Sequence, residues 1–144
     1  MGIEQENNPQ FAQFAHPEKF VSAAWLSARL GVPGLKVVES DEDAFLYDIG
    51  HIPGAVNVPW GRSVFPNARF RPVEDIRAIY EDFDRDAETV VYCQLGESSS
   101  HTWYVLKHIL GFTNVALYDG SWAEWGNMVR MPVVKGDAPE NAAE

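Results

Sequence analysis

The spacing of apolar residues switches along the chain between the short runs of buried strands and the wider spacing of helices. Thr89 to Tyr92 is a β-branched and aromatic run, the mark of a strand covered on both faces. Leu35 to Val38, Val56 to Val58 and Val115 to Tyr118 read the same way, and Phe20-Val21 reads as a very short first strand. Between them lie helical patterns. Ser22 is placed to cap a helix from Ala23 to Leu30 that carries Trp25, Leu26 and Leu30 on one stripe and stops at Gly31. Pro72 suits the first helical position, with Glu74 and Asp75 in the first turn and Ile76, Ile79, Tyr80 and Phe83 on the buried face. From Ser98 onward Trp103, Leu106, Ile109 and Leu110 recur at helical spacing as far as Gly111. A last short helix holds Trp122 and Trp125 as core residues. Strands alternating with helices predict an α/β domain with a mainly parallel sheet, whose sites lie beyond the carboxyl ends of the strands.

Length and charge narrow the picture. The chain has 144 residues, enough for one domain with a proper core. The domain is expected over residues 17–134, after a flexible tail at 1–16 in which Phe11 and Phe14 can tuck inward, and before an acidic tail at 135–144. A formal net charge of −10 argues against nucleic-acid and anionic-membrane partners. It also repels anionic substrates at long range, so an anion site must be built locally. No apolar stretch is long enough to span a membrane and the N-terminus has no signal-peptide pattern, so a cytoplasmic setting is expected. One cysteine excludes an internal disulfide and any multi-cysteine metal site.

That cysteine, Cys93, falls where the Glu88 to Tyr92 strand ends and a helix is about to begin. Backbone N–H groups can converge there, and the helix start adds positive potential that favours a thiolate. A cysteine after a strand is commonly a small buried hydrophobe. Packing alone, however, requires neither Gly96 nor the serines Ser98, Ser99 and Ser100 at the helix entrance. Elsewhere, Glu39-Ser40-Asp41-Glu42-Asp43 reads as a solvated acidic loop rather than a metal site. His51 reads as a structural histidine bonding backbone in a tight turn. Arg62, Arg69 and Arg71 crowd one loop, either for solubility or to bring a cation to the mouth of the Cys93 site.

Three segments carry a family resemblance. Cys93-Gln94-Leu95-Gly96-Glu97-Ser98 with Ser99-Ser100-His101-Thr102-Trp103 resembles the active-site loop and following helix of rhodanese-type sulfurtransferases. Tyr118-Asp119-Gly120-Ser121-Trp122-Ala123-Glu124-Trp125-Gly126 resembles the segment after the last strand, and Gly50-His51-Ile52-Pro53-Gly54-Ala55-Val56-Asn57-Val58-Pro59 the upstream signature. The matches stand in the family's order and cover about Val21 to Pro132. The opening, through Tyr47, looks more like the start of the inactive half of tandem relatives; the part from Gly50 looks like the active half.

The resemblance implies a five-stranded, mainly parallel sheet flanked by helices. It implies thiosulfate sulfurtransferase chemistry, in which Cys93 takes a sulfur from a small anionic donor and passes it to cyanide or a thiol, a thiol-carrying protein among them. Gln94, Leu95, Gly96, Glu97, Ser98 and Ser99 would form the loop that holds the persulfide, with no cofactor and no metal. The chain also departs from the family. Thiosulfate-specific loops place arginine beside the cysteine and a basic residue near the sixth position, where this chain has Gln94 and Ser98, with Glu97 between. The strand-end element Asp-x-Arg is occupied by Glu39 and Asp41, without the arginine. A mercaptopyruvate donor and a non-catalytic rhodanese-like module that binds a partner or senses sulfur are the alternative readings. A Cys-dependent phosphatase or arsenate reductase needs an arginine to grip its oxyanion, and Gln94 to Ser100 contains none.

Overall fold

The computed structural model describes residues 6–41 and 50–136. Four strands, β1 (Leu35–Glu39), β2 (Ala55–Asn57), β3 (Glu88–Tyr92) and β4 (Val115–Leu117), form one sheet in the order β2-β1-β3-β4. Every pairing is parallel, with Val38 opposite Val91 and Val90 opposite Ala116. The helices are α1 (Ala23–Arg29), α2 (Val73–Ile79), α3 (Glu97–Tyr104) and α4 (Ser121–Trp125). A 3-10 turn spans Trp60–Ser63, and α3 runs on as a π turn over Val105–Ile109.

Among the described residues the sheet has four strands where five were expected. Phe20 makes only an isolated parallel bridge to Leu117, and the Val21 N–H donates to Leu117 O at 3.2 Å. The cause is local. A 3-10 turn ends at Lys19, and Ser22 already caps α1, its hydroxyl accepting from the Trp25 N–H at 3.1 Å. Two free residues are too few to build a ladder.

The period of two along the central strands divides the interior. Val37, Val90 and Tyr92 face a core with Leu26, Ile52, Tyr118 and Trp125, whereas Val38 and Val91 face one with Ile76, Leu106 and Leu110. β3 is buried from Thr89 through Tyr92, so its end is held from both sides. Trp125 is fully buried and donates through Nε1 to Pro132 O at 2.9 Å, and Trp122 packs on the same core.

Several local expectations shift. Pro72 is the cap residue before α2 rather than its first helical residue, because its extended ψ of 145° places it half outside the helix. His51 takes the structural role expected of it, with Nδ1 3.0 Å from Ile52 O and Nε2 2.9 Å from Gly136 O. Phe11 is buried against Phe20, while Phe14 stays 41% exposed. The Glu6 carboxylate accepts from the Ser22 N–H at 2.8 Å, which ties the start of the described chain to α1. From Glu39 to Asp41 the acidic segment is not a solvated loop. Glu39 and Ser40 are buried and Asp41 is half-buried, because the ends of β1 and β3 are joined by the Ser40 N–H donating to Tyr92 O at 3.0 Å. Glu42, Asp43 and residues 137–144 lie outside the described residues.

Candidate active site

β3 delivers Cys93 to the carboxyl edge of the sheet, where its side chain is 1% exposed. Its backbone is clamped by the start of α4. The Cys93 N–H donates to Ser121 Oγ at 3.1 Å, and that hydroxyl donates in turn to Tyr118 O at 3.0 Å. The Cys93 and Gln94 carbonyls accept from the Trp122 and Ala123 N–H groups, both at 2.9 Å. Ser121 holds a φ of 52° to do this, a left-handed conformation that is unusual outside glycine and costs about 1–2 kcal/mol.

The loop then curls around the sulfur. The Gly96 N–H donates to Cys93 Sγ at 2.9 Å, and the Ser99 hydroxyl lies 3.3 Å from Sγ and 3.0 Å from Gly96 O. Gly96 has a φ of 103°, and a Cβ there would stand 3.0 Å from Asp119 O. Left-handed backbone and close approach together call for glycine. α3 starts at the next residue, and its first N–H groups, on Glu97, Ser98 and Ser99, have no acceptor within the helix. The sulfur therefore sits against the Gly96 N–H and the Ser99 hydroxyl, beside the open start of α3.

Of the six loop residues expected around Cys93, two touch the sulfur: Gly96 and Ser99. Gln94, Leu95 and Glu97 are exposed, Leu95 by 62%. Ser98 turns to Asp41: its hydroxyl and the Gln94 N–H lie where they favour the ionised form of the Asp41 carboxylate. Burial and the nearby Glu39 carboxyl shift the pair. Glu39 is pushed up to about 8, chiefly by burial, and Asp41 is also pushed up by burial.

Arg71 donates to Val64 O at 3.1 Å and lies over the Phe65 ring, and Arg62 and Arg69 are exposed. Among the described residues no hydrogen bond or ion pair joins any of the three to residues 93–99. His101, one turn along α3 from Glu97, stacks on Phe70 at 5.4 Å and meets Trp60 edge-on at 5.2 Å. Burial holds its ring below the usual histidine range, and its buried Nδ1 has no partner among the described residues.

Sequence reasoning did not find Ser121 or the Glu39–Asp41 contact. Ser121 had a signal in the Asp119-Gly120-Ser121-Trp122 segment. Asp41 had a signal in the family's strand-end element, but nothing local shows that the end of β1 meets the loop after β3.

The model of the rhodanese-like domain matches residues 22–128. A thiosulfate sulfurtransferase of Corynebacterium glutamicum is 54% identical over 92 residues, covering 64% of this chain and 31% of that protein. The sulfur carrier protein TtuD of Thermus thermophilus is 51% identical over 90 residues, covering 61% of this chain and 32% of that protein. The chain thus spans about a third of the length of these curated relatives. The crystal structure of SseA from Escherichia coli, described with the fold and mechanism of 3-mercaptopyruvate sulfotransferases, matches with a TM-score of 0.72 at 20% identity, over 83% of this chain and 51% of that one. That likeness shows the fold.

Proposed function

The chain belongs to the rhodanese-like family, and from that premise we propose that it is a sulfurtransferase that carries a sulfane sulfur as a persulfide on Cys93, with thiosulfate as donor. The thiolate attacks the outer sulfur of thiosulfate. A new S–S bond forms at Cys93, the old one breaks, and its electron pair leaves with sulfite. A thiophilic acceptor, cyanide or a cellular thiol, then attacks the outer sulfur of the persulfide and restores the thiolate. This is a two-step covalent exchange with ping-pong kinetics. It needs no cofactor.

The observation that carries the reading is the Gly96 N–H aimed at Sγ from 2.9 Å, seconded by the Ser99 hydroxyl and the open first turn of α3. Such donors suit a charge that moves between Sγ and the sulfur beyond it. The relative named as a sulfur carrier supports a protein thiol as one kind of acceptor. A cytoplasmic setting fits the reduced thiol that the cycle needs. Among the described residues no helix is long and apolar enough to cross a membrane.

One observation favours a second donor. The loop contributes Gln94, Glu97 and Ser98 and no cation, which suits a monoanion such as 3-mercaptopyruvate better than a dianion. Intact-protein mass spectrometry separates the cases. Thiosulfate is expected to add one sulfur atom, dithiothreitol to remove it, and Cys93→Ser to take up none. An adduct with mercaptopyruvate alone would replace the donor and keep the mechanism. No adduct with either donor would overturn the reading in favour of a binding module.

A further inference from the structure

We propose that Glu39 and Asp41 form a positioning pair for Cys93: a carboxyl–carboxylate unit at the end of β1 that braces both ends of the loop from Gln94 to Ser98 and whose charge sets how readily the Cys93 sulfur reacts. The proposal rests on the persulfide reading of Cys93 for its purpose, though not for its test.

The geometry begins with burial. Glu39 is 1% exposed, and a buried carboxylate normally requires a cation. Among the described residues none faces it. Its Oε1 accepts from the Asp41 N–H at 2.7 Å, and its Oε2 accepts from the Asn57 side chain on β2. The same Asn57 amide lies 3.3 Å from Asp41 O, so β2 fixes both members. The backbone here is tied on either side, Val58 N–H to Glu39 O at 2.8 Å and Trp60 N–H to Ser40 O at 3.0 Å. Asp41 is held beside Glu39 and turned toward the loop. Its Oδ2 is buried and makes no hydrogen bond among the described residues.

The groups around the pair are the Asn57 amide from β2, the Gln94 N–H and the Ser98 hydroxyl from the loop, and the Glu97 carboxylate from the start of α3. Two touching carboxyls in a poorly solvated place do not both ionise. Burial keeps the proton on Glu39 up to about pH 8, and the Glu39 carboxyl then faces an Asp41 carboxylate. A proton stands where a cation would otherwise be needed. The ionised Asp41 draws on Gln94 and Ser98, which flank the segment whose central N–H, on Gly96, is aimed at Sγ. The ends of the loop are anchored and its middle is left for the sulfur.

When Glu39 loses its proton, a second negative charge appears under the loop, beside Glu97. Negative charge on the Cys93 sulfur is then disfavoured. A brace with no electrostatic role would show no such dependence.

The test is the rate of Cys93 alkylation by iodoacetamide, followed by intact mass from about pH 6 to about pH 9.5, in the wild type, Glu39→Gln, Asp41→Asn and Asp41→Ala. It reads the sulfur without any sulfur donor. The ratio of the Glu39→Gln rate to the wild-type rate is expected to be near one at the acid end and to rise to on the order of fivefold above pH 8, the effect of one like charge at partly screened range. Asp41→Asn is expected to move the bend to lower pH, since Glu39 then loses its charged neighbour but stays buried, and Asp41→Ala to slow alkylation at every pH. Superimposed profiles for the wild type, Glu39→Gln and Asp41→Asn would overturn the proposal, whether or not Asp41→Ala folds. If those profiles coincide while thiosulfate still loads Cys93, the pair fails and the sulfurtransferase reading stands. If the bend is present and no donor loads Cys93, the pair stands and that reading fails.

Discussion

The Gly96 N–H points at Cys93 Sγ from 2.9 Å, and it can do so only because residue 96 holds a φ of 103°. The sulfur and its first donor are thus three residues apart on one left-handed turn. Gly96→Ala tests the link. The new methyl group would stand 3.0 Å from Asp119 O in a conformation that L-residues avoid. A loss of about 1–2 kcal/mol in stability is expected, together with a fall of tenfold or more in sulfur loading of Cys93. Denaturant unfolding and intact mass after thiosulfate measure the two. Wild-type loading in a folded Gly96→Ala protein would show that this N–H is dispensable.

Ser121 carries the Cys93 N–H on its hydroxyl at 3.1 Å. Ser121→Ala leaves that buried donor unmade, which costs about 1–3 kcal/mol. Ser121→Gly loses the same bond but relieves the φ of 52°, so it is expected to be more stable than Ser121→Ala. Thermal melts of the three proteins decide the order. Equal melts would mean that water replaces the hydroxyl.

Glu39 links folding to pH. Its ordinary value is 4.5, and burial pushes it up to about 8 in the folded protein. Between those values the folded state holds a proton that the unfolded chain has lost. Stability therefore falls as pH rises through that window and levels off above it, by at most about 1.4 kcal/mol per pH unit for this one group. Glu39→Gln keeps the shape and removes the proton. Its melting temperature is expected to fall less from pH 5 to pH 8 and to exceed that of the wild type at pH 8. Parallel curves for the two proteins would show that Glu39 titrates as in water.

The loop's charge is expected to limit the use of thiosulfate. Gln94 to Ser98 holds one acidic residue and no basic one, in a chain of net charge −10. A like charge near a dianion costs on the order of 1 kcal/mol, or roughly fivefold in binding. Gln94→Arg with Glu97→Gln is therefore expected to lower KM for thiosulfate, with the gain shrinking as salt is added. Arg62→Ala, Arg69→Ala and Arg71→Ala are expected to leave KM nearly unchanged, since none of these arginines bonds to the loop. A KM that ignores the loop charges would end the electrostatic account of donor choice.

That Cys93 stands where a strand ends and a helix begins was legible because its signals are local. A β-branched run, a glycine and a serine cluster lie within a dozen residues of Cys93, and all act on that stretch of backbone. Ser22, Gly31 and Gly111 marked helix ends for the same reason. The fifth strand was misjudged because Phe20-Val21 has strand composition but no length, and Ser22 starts a helix at once. Glu39 to Asp41 were misjudged because their charges suggest water, whereas the ladder carries Glu39 inside. Burial there follows from the pairing of β1 with β2 and β3, contacts between residues 18 and 53 positions apart. No window on the sequence contains them.

The clamp between Cys93 and the start of α4 bears on what can be transplanted. Five backbone groups at residues 93–94 and 122–123 are satisfied by one another and by the Ser121 hydroxyl, across the gap between two neighbouring strand ends. Moved alone onto another parallel sheet, the stretch from Cys93 to Ser99 would bring its sulfur without its mount. The smallest portable unit is the pair of adjacent crossings, read together.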